Sequence, residues 1–114
     1  MTEQTRVLVV EDDDLAATTV MRILGRGGYE ARWERTSGLA LETAKDWSPD
    51  VVLLDRRLPD GDGLALARRL RRQQPRPRVV VMSGDPLDAA EQRLVDAHLL
   101  KPATVRAVLD AVAG

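Results

Sequence analysis

Two short apolar runs in this 114-residue chain end in carboxylates, and its chemistry is best sought there. Val51-Val52-Leu53-Leu54 leads into Asp55, and the loop Arg56-Arg57-Leu58-Pro59-Asp60-Gly61-Asp62-Gly63 follows at once. Val7-Leu8-Val9-Val10 leads into Glu11-Asp12-Asp13-Asp14. Ser83 and Lys101 close two further apolar runs, Arg78 to Met82 and Ala97 to Leu100. Taken alone, Asp55 serves equally well as a strand cap or as the start of a turn. Brought together, these groups do more. Clustered carboxylates repel one another, which raises the pKa of at least one. A hard divalent cation relieves that repulsion, and Mg²⁺ (or Mn²⁺) prefers a few carboxylate, water and phosphate oxygens. A carboxylate can also attack phosphorus to give an aspartyl phosphate. The charge of the incoming group would then be met by the metal, the Ser83 hydroxyl and the Lys101 ammonium. Only two of the 17 basic residues are lysines, Lys45 and Lys101, so a lysine at this position departs from the chain's habit. A compact point charge suits a phosphate oxygen in a tight site.

The elements that must position these groups can be read in order. Four apolar residues, β-branched at the front, suit a strand buried on both faces and are too few for an ordinary helix. The spacing of Leu15, Val20, Ile23 and Leu24 predicts a helix capped by an aspartate before Leu15 and ended by Gly25-Arg26-Gly27-Gly28. Tyr29 to Trp33 alternates as a half-exposed strand does. Thr36 or Ser37 caps a second helix that stops before Ser48-Pro49. Leu64, Leu66, Ala67 and Leu70 predict a third, with Arg68, Arg69, Arg71 and Arg72 on its other side. A short fourth helix is expected from Leu87 to Val95, anchored by Leu87, Ala90, Leu94 and Val95. A last one carries Val105, Val108, Leu109 and Val112.

Strand and helix thus alternate five times. Right-handed crossovers then place helices on both faces of one parallel sheet. The expected architecture is flavodoxin-like: a doubly wound (βα)5 domain, five parallel strands ordered 2-1-3-4-5, with a shortened fourth helix. Its switch point lies between strands 1 and 3. Glu11, Asp12 and Asp55 therefore meet at one edge, where Ser83 and Lys101 also arrive.

In that order, Val-Val-Glu11-Asp12-Asp13, Leu-Leu-Asp55 with Pro59-Asp-Gly-Asp62-Gly63, Met82-Ser83-Gly84 and Lys101-Pro102 resemble the receiver domain of two-component response regulators. The resemblance spans essentially the whole chain, 1–114, as a single receiver domain. It implies that Asp55 is the phosphoacceptor and that Glu11, Asp12, Asp55 and the Arg57 backbone carbonyl hold the metal. By the same resemblance Ser83 is the switch hydroxyl, Lys101 pairs with the phosphate, and the Lys101-Pro102 peptide is cis. The segment from Ala97 to Pro102 is similar to receivers of hybrid histidine kinases. The implied partner is a histidine kinase or a histidine phosphotransfer protein, with a phosphorylation-dependent dimer among the outcomes allowed. No turnover of an external substrate is expected. His98 stands where many receivers carry a tyrosine or phenylalanine, which makes it a second switch candidate of another kind. The stretch between Ser83 and Lys101 is about one helical turn shorter than is usual in the family.

Composition bounds the alternatives. The chain has no cysteine, no phenylalanine and a net charge of −1, so disulfides and thiolate metal sites are excluded and the core must be aliphatic. The arginines from 68 to 72 lack interleaved aromatics for base stacking, so they read as a solvated face and no nucleic-acid binding is expected. Trp33 and Trp47 read as packing residues. Without a signal peptide or a membrane-length apolar stretch, the chain reads as cytoplasmic with no membrane partner. With no output domain after Gly114, it is a single-domain regulator or a piece of a longer protein. Two other classes remain. Asp12-x-Asp14 fits an aspartate-nucleophile phosphatase, and a receiver-shaped module that is never phosphorylated would carry the same fold.

Overall fold

The structure is a computed structural model and describes residues 3–114. Five parallel strands form the central sheet: β1 (Arg6–Val10), β2 (Glu30–Glu34), β3 (Val51–Asp55), β4 (Arg78–Ser83) and β5 (Ala97–Leu100). Their order is β2-β1-β3-β4-β5, as the alternation of elements required. Helices α1 (Asp14–Arg26), α2 (Ser37–Trp47), α3 (Gly63–Leu70), α4 (Ala89–Gln92) and α5 (Val105–Ala113) complete the fold.

The sheet is sealed on both faces, which is why β1 and β3 are continuous apolar runs. Val7 and Val9 face one cluster with Leu53, Val80 and Met82, covered by Val20 and Leu24 of α1 and by Val108 and Val112 of α5. Leu8 and Val10 face the other with Val52, Leu54, Val79 and Val81, covered by Ala40, Ala44 and Trp47 of α2 and by Leu64, Leu66, Ala67 and Leu70 of α3. Burying each Val or Leu is worth about 1.5–3 kcal/mol relative to exposure. Polar side chains cap the helices: Asp13 on α1, Thr36 on α2, Asp62 on α3 and Thr104 on α5; of these, Thr36 is a cap the sequence reading named.

Four details differ from the sequence reading. Strand β2 begins and ends one residue later, at Glu30 and Glu34. Helix α3 stops at Leu70, so Arg71 and Arg72 lie in the turn beyond it rather than on its face. Helix α4 is a single turn held by a reciprocal capping box between Asp88 and Glu91, with nothing buried on it. Leu87 is buried, Leu94 and Val95 are half-buried against the core, and Ala90 is exposed, so the anchors flank the helix instead of lining it. The fourth is an addition. After Asp55 the chain folds into a small antiparallel ribbon, Arg57–Leu58 against Gly61–Asp62, which swings α3 back onto the sheet.

Gly63 is where that return is tightest. Its amide donates to the Arg56 carbonyl at 2.5 Å. A side chain there would overlap the Asp55 carbonyl oxygen and come within 2.8 Å of Leu54 Cδ1. Gly63→Ala should therefore lower stability in chemical denaturation by on the order of 2 kcal/mol. Gly25→Ala, at an exposed helical position with nothing within 4 Å, should raise it by up to about 1 kcal/mol. Equal effects at the two sites would refute this packing description.

Candidate functional site

Strand ends build the site. Asp55 ends β3 and Glu11 follows β1, and the two are 7% and 2% exposed. Asp12, one residue further, is exposed at the rim. Carboxylate oxygens of Glu11, Asp12 and Asp55 all lie within 4.8 Å of one another, so the predicted convergence is present. Lys101 follows β5 and places its Nζ 2.6 Å from Asp55 Oδ2 and 4.0 Å from Glu11 Oε1. Its amide is held by the Ser83 carbonyl at 2.9 Å, and its peptide bond to Pro102 is cis. The other Asp55 oxygen, Oδ1, accepts the Arg57 amide at 3.0 Å. A cleft of about 560 Å³ opens above these groups, lined by Asp55, Arg56, Arg57, Ser83, Gly84, Asp85 and Lys101.

The electrostatics follow from burial and crowding. Burial pushes Glu11 up to about 7, and its hydrogen bond to Asp55 and that group's charge push the same way. Lys101 and the Asp12 amide oppose them without prevailing. Burial also works to raise Asp55. Hydrogen bonds from Glu11, Lys101 and the Arg57 amide outweigh it, and Asp55 is held below the ordinary aspartate value. Asp55 is thus the ionised member and Glu11 the one that takes up a proton near neutrality. Three hard oxygen donors carrying more negative charge than one lysine balances fit a divalent cation.

The remaining predicted residues fall as follows. Ser83 ends β4 and is 4% exposed. Its Oγ lies 2.5 Å from the Asp85 carbonyl and 2.7 Å from His98 Nε2. Arg57 sits in the ribbon, and its guanidinium lies 3.9 Å from the Asp85 carboxylate across the cleft mouth. Both side chains are largely exposed, so that pair is weak. Asp14 does not join the site: it lies in the first turn of α1 and pairs with Arg35. The Asp-x-Asp pattern of a phosphatase is therefore not assembled.

Two contacts were not read from sequence. Arg56 pairs with Glu91, the acid of the α4 capping box, and so ties the residue after Asp55 to that helix. Trp33, expected as a packing residue, does pack against the core, but its indole also donates to the Glu11 carbonyl at 2.7 Å. Both are side-chain choices across the fold, for which local pattern carries no signal.

A doubly wound parallel sheet with acids at its switch point, a lysine beside them and an open cleft above defines a flavodoxin-like fold with a charged site at its switch point. Comparison with known proteins makes the class specific. The family model of the response regulator receiver domain matches residues 7–113, and the chain belongs to that family. It is 34% identical over 121 residues to the transcriptional regulatory protein CseB of Streptomyces coelicolor, covering 96% of this chain and 51% of that protein. The chain therefore spans about half the length of that curated relative. A CheY-like receiver domain from Methylobacillus flagellatus superposes with a TM-score of 0.88 at 29% identity, covering 96% of this chain and 99% of that one. A sensor protein from Polaromonas sp. JS666 gives 0.89 at 28% identity, over 97% and 94%. The family implies a phosphoacceptor role in two-component signalling. Its members interact with histidine kinases or phosphotransfer proteins. Among the described residues no helix is long and apolar enough to cross a membrane.

The Glu11 value makes metal-free stability pH-dependent. Its pKa is raised on folding from 4.5 to about 7, so the folded state binds the extra proton between those values. The associated stability is complete below about pH 4.5 and is lost as pH rises through about 7. Denaturation without metal at pH 5.5 and pH 8 should show a loss on the order of 2 kcal/mol. Glu11→Gln should abolish the difference. A parent whose stability is flat across this window would contradict the assignment.

Proposed function

We propose that Asp55 is the phosphoacceptor, taking a phosphoryl group from a histidine kinase, a histidine phosphotransfer protein or a small phosphodonor. The observation that carries this is the Asp55 carboxylate 2.6 Å from the Lys101 ammonium at the floor of an open cleft. An Asp55 oxygen attacks phosphorus, the bond from phosphorus to the donor nitrogen breaks, and the departing imidazole keeps the electron pair and takes a proton. Glu11, Asp12, Asp55 and the Arg57 backbone carbonyl would hold Mg²⁺ or Mn²⁺, which supplies charge neutralisation at the phosphoryl oxygens. Lys101 starts on Asp55 Oδ2 and shifts to a phosphoryl oxygen as charge moves outward. The Arg57 amide keeps Asp55 Oδ1 fixed during attack. Residues 1–114 act as one receiver domain. It is modified once per donor rather than turning over an external substrate.

Ser83 completes the phosphoryl shell. Its single hydroxyl proton points to the Asp85 carbonyl, which can only accept, so His98 Nε2 must be the donor to Ser83 Oγ. On phosphorylation the hydroxyl turns to a phosphoryl oxygen and releases Asp85. His98 stays bonded to Ser83, and the change passes into Gly84 to Pro86 and the short α4 behind them. The switch is then a hydrogen-bond exchange rather than the flip of an aromatic ring.

Two measurements check this reading. Acetyl phosphate with Mg²⁺ should add one phosphoryl group, seen by mass spectrometry and lost at alkaline pH. Asp55→Asn should take up none. Equal labelling of that variant would displace Asp55 from its role, and no labelling of the parent would favour an unphosphorylated module. In ¹⁵N NMR, neutral His98 should carry its proton on Nε2. A proton on Nδ1 would reverse the proposed bond to Ser83.

A further inference from the structure

Two of the site's acids, Glu11 and Asp12, lie on the short turn between β1 and α1, where carboxylates crowd. Asp12, Asp13 and Asp14 are all exposed, and carboxylate oxygens of Glu11, Asp12 and Asp55 lie within 4.8 Å. Their mutual repulsion favours splaying the loop outward. The last ladder bond between β1 and β2 runs from the Glu11 amide to the Glu34 carbonyl at 3.0 Å, and β2 ends there. The Glu11 carbonyl needs another donor, and the Trp33 indole Nε1–H supplies it at 2.7 Å. Trp33 is paired with Val9 in the sheet and packs against the core, so this donor is carried on an anchored ring.

Arg35 lies over the same ring. Its guanidinium carbon is 4.5 Å from the Trp33 ring centroid. Nη1 donates to the Asp12 carbonyl at 3.1 Å, and Nη2 pairs with the Asp14 carboxylate. Consecutive carbonyls, those of Glu11 and Asp12, are thus tied to one stacked pair at the end of β2. Fixing both carbonyls fixes the backbone between them, and so the direction in which both side chains leave it. The guanidinium also places a positive charge beside the crowded acids.

We propose that Trp33 and Arg35 are positioning residues for the divalent-cation centre, and that Trp33 fluorescence reports its occupancy. This rests on the reading of Glu11 and Asp12 as metal ligands. Groups that orient metal ligands from behind typically contribute 10–100-fold to metal affinity. Trp33→Phe keeps an aromatic ring and removes the donor, while Arg35→Gln removes the stacked cation from an exposed position; loss of that charge alone would favour cation binding, so weaker binding reports the lost positioning.

Mn²⁺ binding to the full chain, followed by electron paramagnetic resonance of the free ion, measures the affinity. Both variants should bind about tenfold more weakly than the parent, and Arg35→Lys should recover part of the loss. Thermal melting without metal serves as the control for folding. If Trp33→Phe does not fold, Arg35→Gln alone decides the affinity question. In a Trp47→Phe background, Mg²⁺ should change the emission of Trp33. Trp33→Phe, which retains only Trp47, should show no such change. Parent-like Mn²⁺ affinity in both folded variants would overturn the proposal, as would Trp33 emission indifferent to Mg²⁺ at saturation. A parent that binds no Mn²⁺, or an Asp12→Ala that binds like the parent, would instead overturn the metal reading beneath it.

Discussion

Most of this structure can be understood from one arrangement: two carboxyl groups buried at a sheet edge, with one lysine to balance them. Asp55 and Glu11 are almost wholly withdrawn from water, and the Lys101 ammonium lies much closer to Asp55 than to Glu11. Burying charge in this way costs free energy unless it is paired and hydrogen-bonded. The protein offsets that cost unequally. Asp55 receives the lysine and the Arg57 amide and stays ionised, whereas Glu11 is left to take up a proton. The result is one carboxylate kept charged beside a second that takes up a proton. Any process that brings a cation or moves charge off Asp55 must shift this balance.

The fold explains how groups so far apart in sequence hold that geometry. Each comes from the carboxyl end of a parallel strand or the one or two residues beyond it, and the strands are sealed on both faces by mainly aliphatic side chains, with Trp47 among them. A slip of one residue in β3 would turn every one of its side chains to the other face, Asp55 included, so strand register places the acids as well. The loops carrying the chemistry are short and tied across the fold. Asp60 reaches from the loop after β3 to accept the Ser37 and Gly38 amides at the start of α2, at 2.9 and 3.1 Å. Arg56 reaches from the same loop to Glu91.

Much of this was legible because the relevant signals are local or topological. The runs Val7–Val10 and Val51–Leu54 announce buried strands by composition, and the alternation of elements leaves few sheet orders. With the order in place, the meeting of Glu11, Asp12, Asp55, Ser83 and Lys101 follows from the switch point. The exceptions have a common cause. The stacking of Arg35 on Trp33, the bond between His98 and Ser83, and the pairing of Arg56 with Glu91 depend on rotamers chosen across the fold. The single-turn α4 falls short of the expected span because its apolar residues, Leu87, Leu94 and Val95, anchor the chain on either side of it. Ala90 is too small to pull the helix onto the core from its exposed side.

On the proposed reading, phosphorylation at Asp55 transfers Lys101 and Ser83 from protein oxygens to the phosphoryl group. A crystal structure with Mg²⁺ and beryllofluoride tests it most directly. The adduct should sit on Asp55, with Lys101 Nζ and Ser83 Oγ each within hydrogen-bond distance of a fluorine. The bond from Ser83 to the Asp85 carbonyl should be broken and that to His98 retained. An adduct on Asp55 with Lys101 and Ser83 still on their present partners would contradict the claim.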